Sequence, residues 1–167
     1  DEAKDAFRKA AALAHLNGRV VALTLSDSFC VDRHRADFQS LVKNDIDILF
    51  ANEDELKSLY ETTDFDEAVE LLRRDCHIAA VTRSEKGSVI VTRDDVHEVP
   101  AAPVSQVVDT TGAGDCFTGV LAAGIALGQV LPEAARRASR AASIAVTRLG
   151  AATSMPRVQE LTASDSH

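Results

Sequence analysis

The stretch Asp109-Thr-Thr-Gly-Ala-Gly-Asp115 decides the fold of this chain. It follows Val107-Val108, the end of a short strand predicted at residues 104–108, and precedes an alanine-rich run. This order predicts a strand, a glycine loop and a helix. Small residues at positions 112–114 allow a ligand to approach the backbone closely. N–H groups at a helix N-terminus lack intrahelical acceptors and favour an anion. We therefore predict that Gly112, Ala113 and Gly114 form an anion-binding loop.

Asp115 falls in the first turn of the predicted helix, beside this loop. A carboxylate there can take the proton from a substrate hydroxyl as it attacks a phosphoryl group, while the loop stabilises the developing charge. The alternative is that Asp115 only caps the helix. The stretch is not a Walker A loop, because no Gly-Lys-Ser/Thr follows, and it is not Gly-x-Gly-x-x-Gly, because residue 117 is Phe. The sequence therefore favours phosphoryl transfer over a dinucleotide-dependent oxidoreductase, which ranks third among the functions considered.

Outward from this stretch, short apolar runs alternate with amphipathic segments. This alternation predicts an α/β fold with a mostly parallel sheet covered by helices on both faces. The chain length of 167 residues suits a single domain, residues 1–167. Buried strands are predicted at residues 19–25, 46–50 and 78–82, a further short strand at 104–108, and a hairpin of strands at 88–92 and 96–99. Helices are predicted at 1–16, 31–42, 53–60, 65–75, about 113–127 and about 132–147.

The formal net charge of −8 argues against a surface built to bind nucleic acid. It does not argue against ATP, because backbone dipoles and a metal ion can hold phosphates in an acidic protein. No apolar stretch is long enough to span a bilayer, so no membrane partner is predicted. Cys30, Cys76 and Cys116 form no CxxC pair, and we interpret them as reduced thiols of a cytoplasmic protein. The charge of Asp115 is expected to disfavour a thiolate at Cys116.

The string Asp109-Thr-Thr-Gly-Ala-Gly-Asp-Cys-Phe117 resembles the signature of the ribokinase-like (PfkB) family of carbohydrate and nucleoside kinases. The resemblance implies a three-layer αβα fold, ATP as the phosphoryl donor with Mg²⁺, and the hydroxymethyl group of a sugar or nucleoside as the acceptor. It implies that Asp115 is the catalytic base and that residues 112–114 form its anion hole. Val120 departs from the family pattern, which usually has Ala or Gly at this position.

Asn52-Glu-Asp-Glu55 follows a predicted strand and opens a predicted helix. Asn52 and Glu55 are three residues apart and could form a capping box. The segment also resembles the family's Asn-x-x-Glu motif, which implies that Asn52 and Glu55 help to organise phosphate and Mg²⁺, often through water. The two interpretations are compatible with each other.

Thr82-Arg-Ser-Glu-Lys-Gly87 connects a predicted strand to the hairpin and could be an ordinary polar turn. It resembles the family's Thr-x-Gly-x-x-Gly nucleotide loop, with Ser84 in place of the first Gly. The resemblance implies contacts with ATP from Thr82, Arg83, Ser84, Glu85, Lys86 and Gly87. It also places Ser139 where the family often has an Asn or His near adenine.

The last segment, residues 141–156, is similar to the C-terminal part of ribokinases. The resemblance implies a site for K⁺, which suits oxygen ligands and would be bound mostly through carbonyl oxygens. The alternative is a plain helix end closed by Gly150. The implied K⁺ ligands are Asp109, Thr111, Ala145, Arg148, Gly150 and Ser154.

The resemblance covers only the C-terminal half of the family pattern, and the chain begins with Asp1 rather than Met. The first hundred residues resemble adenosine kinases and the tail resembles ribokinases. Most acceptor-binding residues are therefore predicted to lie outside this chain. We expect either a homodimer or a missing N-terminal half, because exposed apolar faces and a sheet edge invite pairing. An ATP-binding or assembly module without activity by itself is the alternative function.

Overall fold

The computed structural model describes residues 2–162 as seven helices and five strands, with a short 3₁₀ turn at Ser84–Lys86. None of the helices in this range is long and apolar enough to cross a membrane. The helices are α1 Glu2–Leu16, α2 Ser28–Asn44, α3 Glu53–Tyr60, α4 Phe65–Asp75, α5 Ala113–Ala126, α6 Leu131–Ala145 and α7 Val158–Thr162. The strands are β1 Ala22–Thr24, β2 Ile48–Asn52, β3 Ile78–Thr82, β4 Ser88–Thr92 and β5 Val96–Val99.

The strands form a single sheet in the order β1-β2-β3-β4-β5. β1, β2 and β3 are parallel, and the register pairs Ala22 with Ile48 and Asn52 with Thr82. The last residues of β2 and β3 therefore lie side by side at the carboxyl edge of the sheet, where ligands bind in open α/β sheets.

The chain divides into two compact units. Unit 1 comprises Asp1–Thr82 and Val89–Val96, and unit 2 comprises Arg83–Ser88 and His97–His167. The expectation of one domain over residues 1–167 stays a prediction.

The core of unit 1 lies between β2, β3, β4 and the helices α2, α3 and α4. Alternate residues of the strands, such as Leu49 and Val81, face these helices. The residues between them, such as Phe50 and Ile90, are buried as well. Burial on both faces explains why these strands appear in the sequence as continuous apolar runs.

The core of unit 2 depends on small residues. α6 presents buried alanines to α5, among them Ala134 and Ala141. A Cβ added at Gly124 of α5 would lie 2.8 Å from the Cβ of Ala134, so the two helices approach too closely for a larger side chain. This close packing is the physical reason for the alanine-rich sequence of the last two long helices.

Most of the predicted elements are confirmed, one strand prediction is wrong, and a second is confirmed only in part. Residues 104–108 are not a strand, and the backbone N–H of Val108 donates to the carbonyl of Val146 at 2.8 Å instead of to a neighbouring strand. Residues 19–25 were expected to form a buried strand, but β1 has three residues and Val20 is 66% exposed. β1 is the first strand of the sheet order, so only one of its edges is paired with another described strand.

Candidate functional site

The N-terminus of α5 is built by the predicted glycine loop. Gly112 is the N-cap residue and has a left-handed backbone with φ of 79°. The N–H of Ala113 donates to the carbonyl of Thr110 at 3.1 Å. Among the described residues, the N–H groups of Gly112, Gly114 and Asp115 have no protein acceptor. Three backbone donors thus remain for an anion at the positive end of the helix dipole.

Gly112 and Gly114 differ in what surrounds them. A Cβ at Gly112 would lie 3.2 Å from the Cβ of Ala151 and from the Cε of Met155. A Cβ at Gly114 would meet no protein atom within 4 Å. Gly112 is therefore required by the loop's own packing, whereas Gly114 faces open space in which a ligand could lie.

Asp115 is exposed in the first turn of α5. In the part of the chain that the structure describes, its carboxylate has no hydrogen bond or ion pair. The helix is capped by Gly112 without any side-chain bond, so the alternative that Asp115 caps the helix is wrong. A solvent-facing carboxylate with no protein partner is available to accept a proton from a ligand.

Cys116, next to Asp115, is buried against Ala141 and Ala145. Burial raises the pKa of its thiol. A thiolate at Cys116 is therefore disfavoured by burial, not by the charge of Asp115 as the sequence analysis expected.

Asp109 joins the glycine loop to the segment after α6. Its Oδ1 accepts the N–H of Thr111 at 2.9 Å, and its Oδ2 accepts the N–H of Gly150 at 2.9 Å. The hydrogen bonds from the Thr111 side chain and backbone and from Gly150 lower the pKa of Asp109. Val146 adds a second connection, because its carbonyl accepts the N–H groups of both Val108 and Asp109.

The other residues of the expected K⁺ site lie in the same region of unit 2. Ser154 is fully buried, and its N–H donates to the carbonyl of Gly150 at 3.1 Å. The N–H of Arg148 donates to the carbonyl of Ala145 at 3.1 Å. The structure thus links Thr111, Gly150 and Ser154 to Asp109 by hydrogen bonds, and it links Arg148 to Ala145 separately. No group of three or more His, Cys, Asp and Glu residues that could hold a metal ion occurs in residues 2–162.

Glu160 was missed by the sequence analysis. It pairs with the guanidinium of Arg148 and accepts the N–H of Arg157 at 2.8 Å. These contacts lower the pKa of Glu160, with Arg148 as the first cause. No sequence signal pointed to it, because it lies in α7, a helix that was not predicted.

Asn52 and Glu55 form the capping box at the start of α3. The side chain of Asn52 accepts the N–H of Glu55 at 2.8 Å, and its Nδ2 donates to Oε1 of Glu55 at 2.8 Å. The N–H of Asn52 donates to Oε2 of Glu55 at 2.9 Å. Burial raises the pKa of Glu55, against the effect of the Asn52 N–H, and the charges of Asp27 and Asp54 raise it further.

A buried carboxylate at the carboxyl edge of a parallel sheet, held by a fixed amide, fits an indirect role in binding a hydrated cation. Thr82 lies beside Asn52 in the register, and its hydroxyl donates to the carbonyl of Ala51 at 3.5 Å. The structure therefore brings together Asn52, Glu55 and Thr82 in unit 1.

The loop 83–87 is a closed turn in unit 2. The N–H of Arg83 donates to the carbonyl of Gly87 at 2.7 Å, and the N–H of Gly87 donates to the carbonyl of Ser84 at 3.1 Å. Ser84 has φ of 51°, so it occupies the left-handed conformation although it stands where the family pattern has Gly. Ser84, Glu85 and Lys86 are exposed and lie on the outside of the turn.

Ser139 has a structural contact. Its hydroxyl accepts the N–H of Ala102 at 3.1 Å and donates to the carbonyl of Pro100 at 3.3 Å. It fixes the connection after β5 to α6, and its place beside adenine stays a prediction.

A parallel α/β sheet with an open helix N-terminus and a free carboxylate beside it defines a class of anion-binding α/β proteins that includes phosphotransferases. The sequence of residues 2–158 matches the model of the pfkB family of carbohydrate kinases. The chain belongs to this family, and the recognition made from residues 109–117 is confirmed.

Solved structures of the family show the same fold. Adenosine kinase from Sinorhizobium meliloti is 48% identical, with a TM-score of 0.89 over 96% of this chain and 49% of its own. Ribokinase from Arabidopsis thaliana, complexed with ribose and ATP, is 28% identical, with a TM-score of 0.79 over 95% of this chain and 51% of its own. A protein described as ribokinase II from E. coli, in complex with ATP and Mg²⁺, is 26% identical, with a TM-score of 0.84 over 95% of this chain and 52% of its own. The predicted ribokinase-like α/β fold is confirmed.

Among curated proteins, the bifunctional protein HldE of Bradyrhizobium sp. (strain ORS 278) is 47% identical over 81 residues, which cover 47% of this chain and 16% of the relative. Ribokinase of Lactococcus lactis subsp. lactis (strain IL1403) is 30% identical over 118 residues, 71% of this chain and 38% of the relative. The chain thus spans about half of the similar structures and less of these curated relatives.

Proposed function

We propose that this chain is the nucleotide-binding and catalytic part of an ATP-dependent kinase that phosphorylates a hydroxymethyl group of a sugar or nucleoside. The observation that carries the proposal is the exposed, unpartnered carboxylate of Asp115 beside the free N–H groups of the glycine loop. The adenosine kinase and ribokinase neighbours support the acceptor class, and the neighbour bound to ribose and ATP supports the donor.

In the proposed step, Asp115 accepts the proton of the acceptor hydroxyl as its oxygen forms a bond to the γ-phosphorus of ATP. The bond from that phosphorus to the oxygen bridging the β- and γ-phosphates breaks, and ADP leaves with the electron pair. The N–H groups of Gly114 and Asp115 stabilise the charge on the transferred group. Gly112 and Ala113 hold the backbone in the geometry that presents these donors.

Mg²⁺ would neutralise charge on the ATP phosphates when bound. We propose that Glu55 and Asn52 organise its hydration shell, since both oxygens of the Glu55 carboxylate are already fixed by Asn52. The neighbour in complex with ATP and Mg²⁺ supports this ion. Residues 82–87 form the remaining proposed contact with the nucleotide, together with Ser139.

K⁺ would act structurally behind the loop. The six proposed ligands, Asp109, Thr111, Ala145, Arg148, Gly150 and Ser154, belong to segments that Asp109 bonds to each other. Carbonyl oxygens are ligands that suit a hard cation such as K⁺. A cytoplasmic location is part of the same proposal, supported by three free cysteines.

A second candidate function is an ATP-binding or assembly module that is inactive alone. The observation that favours it is the length, since the chain spans 49% of the adenosine kinase and 51% of the ribokinase.

One experiment separates the two candidates. Calorimetry with ATP and Mg²⁺ on the 167-residue chain is followed by phosphorylation assays on ribose, adenosine and fructose. Binding with turnover of one acceptor is the result expected for the kinase. Binding without turnover favours the module, and absence of binding contradicts both.

A further inference from the structure

Arg35 connects α2 to the C-terminal end of α3. It is the first residue after an interruption of α2 at His34, where φ is −128° and ψ is 26°. Its Nε donates to the carbonyl of Ser58 at 2.8 Å, and its guanidinium pairs with Glu61 at 2.8 Å. The third contact is with Asp32 at 2.7 Å, and the hydroxyl of Ser58 also donates to Asp32, at 2.6 Å.

α3 needs such an anchor because it has only eight residues. A helix this short is marginal by itself, and the donors for its last carbonyls come from outside the helix. The N–H of Glu61 donates to the carbonyl of Ser58 at 3.3 Å, and the N–H of Thr62 donates to that of Lys57 at 3.2 Å. α2 supplies donors to two of them, Arg35 to Ser58 and Gln39 to Leu59 at 2.7 Å. A guanidinium at a helix C-terminus is also favoured by the helix dipole. These bonds fix the end of α3 against α2.

The other end of α3 carries Asn52 and Glu55. We propose that Arg35 is a positioning residue for this pair, because a short helix held at its C-terminus by α2 has a fixed N-terminus. Arg35 acts through α3 and does not touch the ligand. The inference rests on the proposed role of Glu55 in binding MgATP.

The test is a double-mutant cycle on MgATP affinity, measured by calorimetry on the 167-residue chain with and without Mg²⁺. Arg35→Met is expected to weaken MgATP binding by about 2-fold to 30-fold, the usual range for residues that modulate a site through a network. The Mg²⁺-free affinity for ATP is expected to change less. Arg35→Lys restores part of the affinity, because an ammonium can still contact one acceptor.

The cycle separates positioning from a general loss of stability. If Arg35 acts through Glu55, Arg35→Met has no further effect on MgATP binding in a Glu55→Gln background. Additive effects of the two substitutions overturn the inference. If Glu55→Gln alone leaves MgATP binding unchanged, the proposed Mg²⁺ role of Glu55 fails first, and this inference with it.

Arg73→Met is the matched control. Arg73 also pairs with a carboxylate, Glu70 at 2.9 Å, and donates to a carbonyl, that of Arg93 at 3.1 Å, but it lies on α4. It is expected to leave MgATP affinity unchanged, and an equal loss in both variants overturns the inference. Urea unfolding checks that each variant is folded. If Arg35→Met does not fold, Arg35→Lys and Glu61→Gln take its place in the cycle.

Discussion

Gly112 and Gly114 lie two residues apart in the glycine loop, yet they are glycines for different reasons. Gly112 has a positive φ and a crowded Cβ position, so the fold requires it. Gly114 lies in the helix with open space around it, so the fold does not require it. The proposed function does require a glycine at position 114, because in that proposal a Cβ would enter the space of the transferred phosphoryl group.

Gly112→Ala is expected to lower the free energy of unfolding by about 1–2 kcal/mol, the cost of a left-handed residue with a side chain. Gly114→Ala is expected to raise it by up to about 1 kcal/mol, because Ala is the better helix former. Urea unfolding measures both. Phosphoryl transfer to the acceptor found by screening is expected to fall in Gly114→Ala although this variant is stable. Full transfer would contradict the proposal that Gly114 is part of the anion hole.

The burial of Glu55 leads us to expect that its contribution to folding stability decreases as the pH rises. Burial raises its pKa above the ordinary value of 4.5. Between pH 4.5 and this raised value the folded state binds more protons than the unfolded state, so the contribution of Glu55 to stability falls as the pH rises.

Glu55→Gln removes this titration, so its stability relative to the unaltered chain is expected to rise from pH 4.5 to pH 7. Chemical denaturation at several pH values measures the difference, with Glu85→Gln as an exposed control. A difference that does not change over this range would show that the carboxylate is not held in a buried environment.

Among the elements, the turn between β3 and β4 depends on a single glycine. Gly87 has φ of 93°, and a Cβ there would lie 2.1 Å from the carbonyl oxygen of Val99 and 2.6 Å from the nitrogen of Ala101. Both are backbone atoms that cannot rotate away.

Gly87→Ala is therefore expected to cost at least about 2 kcal/mol of unfolding free energy, more than the strain of the backbone conformation alone. Gly18→Ala is the matched control, since Gly18 also has a positive φ, 63°, but open space around it. Equal losses in the two variants, measured by urea unfolding, would show that close approach plays no part.

Most elements could be predicted because their sequence pattern and their surroundings agree. α3, α4 and β3 have the predicted bounds, since local caps such as Asn52 and Asp64 define where helices begin. The segment 104–108 could not be predicted, because its valines suit a strand but its backbone is bonded to the end of α6. The loop residues of the candidate site were identifiable from one motif. Glu160 was not, because it lies in a helix that was not predicted, and Arg35 was not, because its contact with Ser58 joins two helices 23 residues apart in sequence.

At the scale of the whole molecule, charge is unevenly distributed. Basic and acidic residues are equal in number in unit 2, so the net charge of −8 belongs to unit 1. Unit 2 contains the glycine loop, and its net charge therefore does not repel a polyanion. The net charge of −8 therefore does not argue against the proposed binding of ATP phosphates at the glycine loop.

The exposed apolar side chains predict self-association of the 167-residue chain. Leu16 is 82% exposed and Val20 is 66% exposed, beside the edge strand β1. An unpaired edge with apolar neighbours invites pairing with another chain. Light scattering is expected to show a species larger than a monomer, and Val20→Lys is expected to reduce it. A monodisperse monomer would contradict this prediction.

The central claim is that Asp115 is the base of phosphate transfer, and Asp115→Asn tests it most directly. In a form of the protein that turns over an acceptor, turnover is expected to fall by about 100-fold or more, the contribution of a general base. The affinity for MgATP, measured by calorimetry, is expected to survive, and Asp94→Asn in the exposed turn before β5 serves as the control. Unchanged turnover in Asp115→Asn would remove Asp115 from the mechanism.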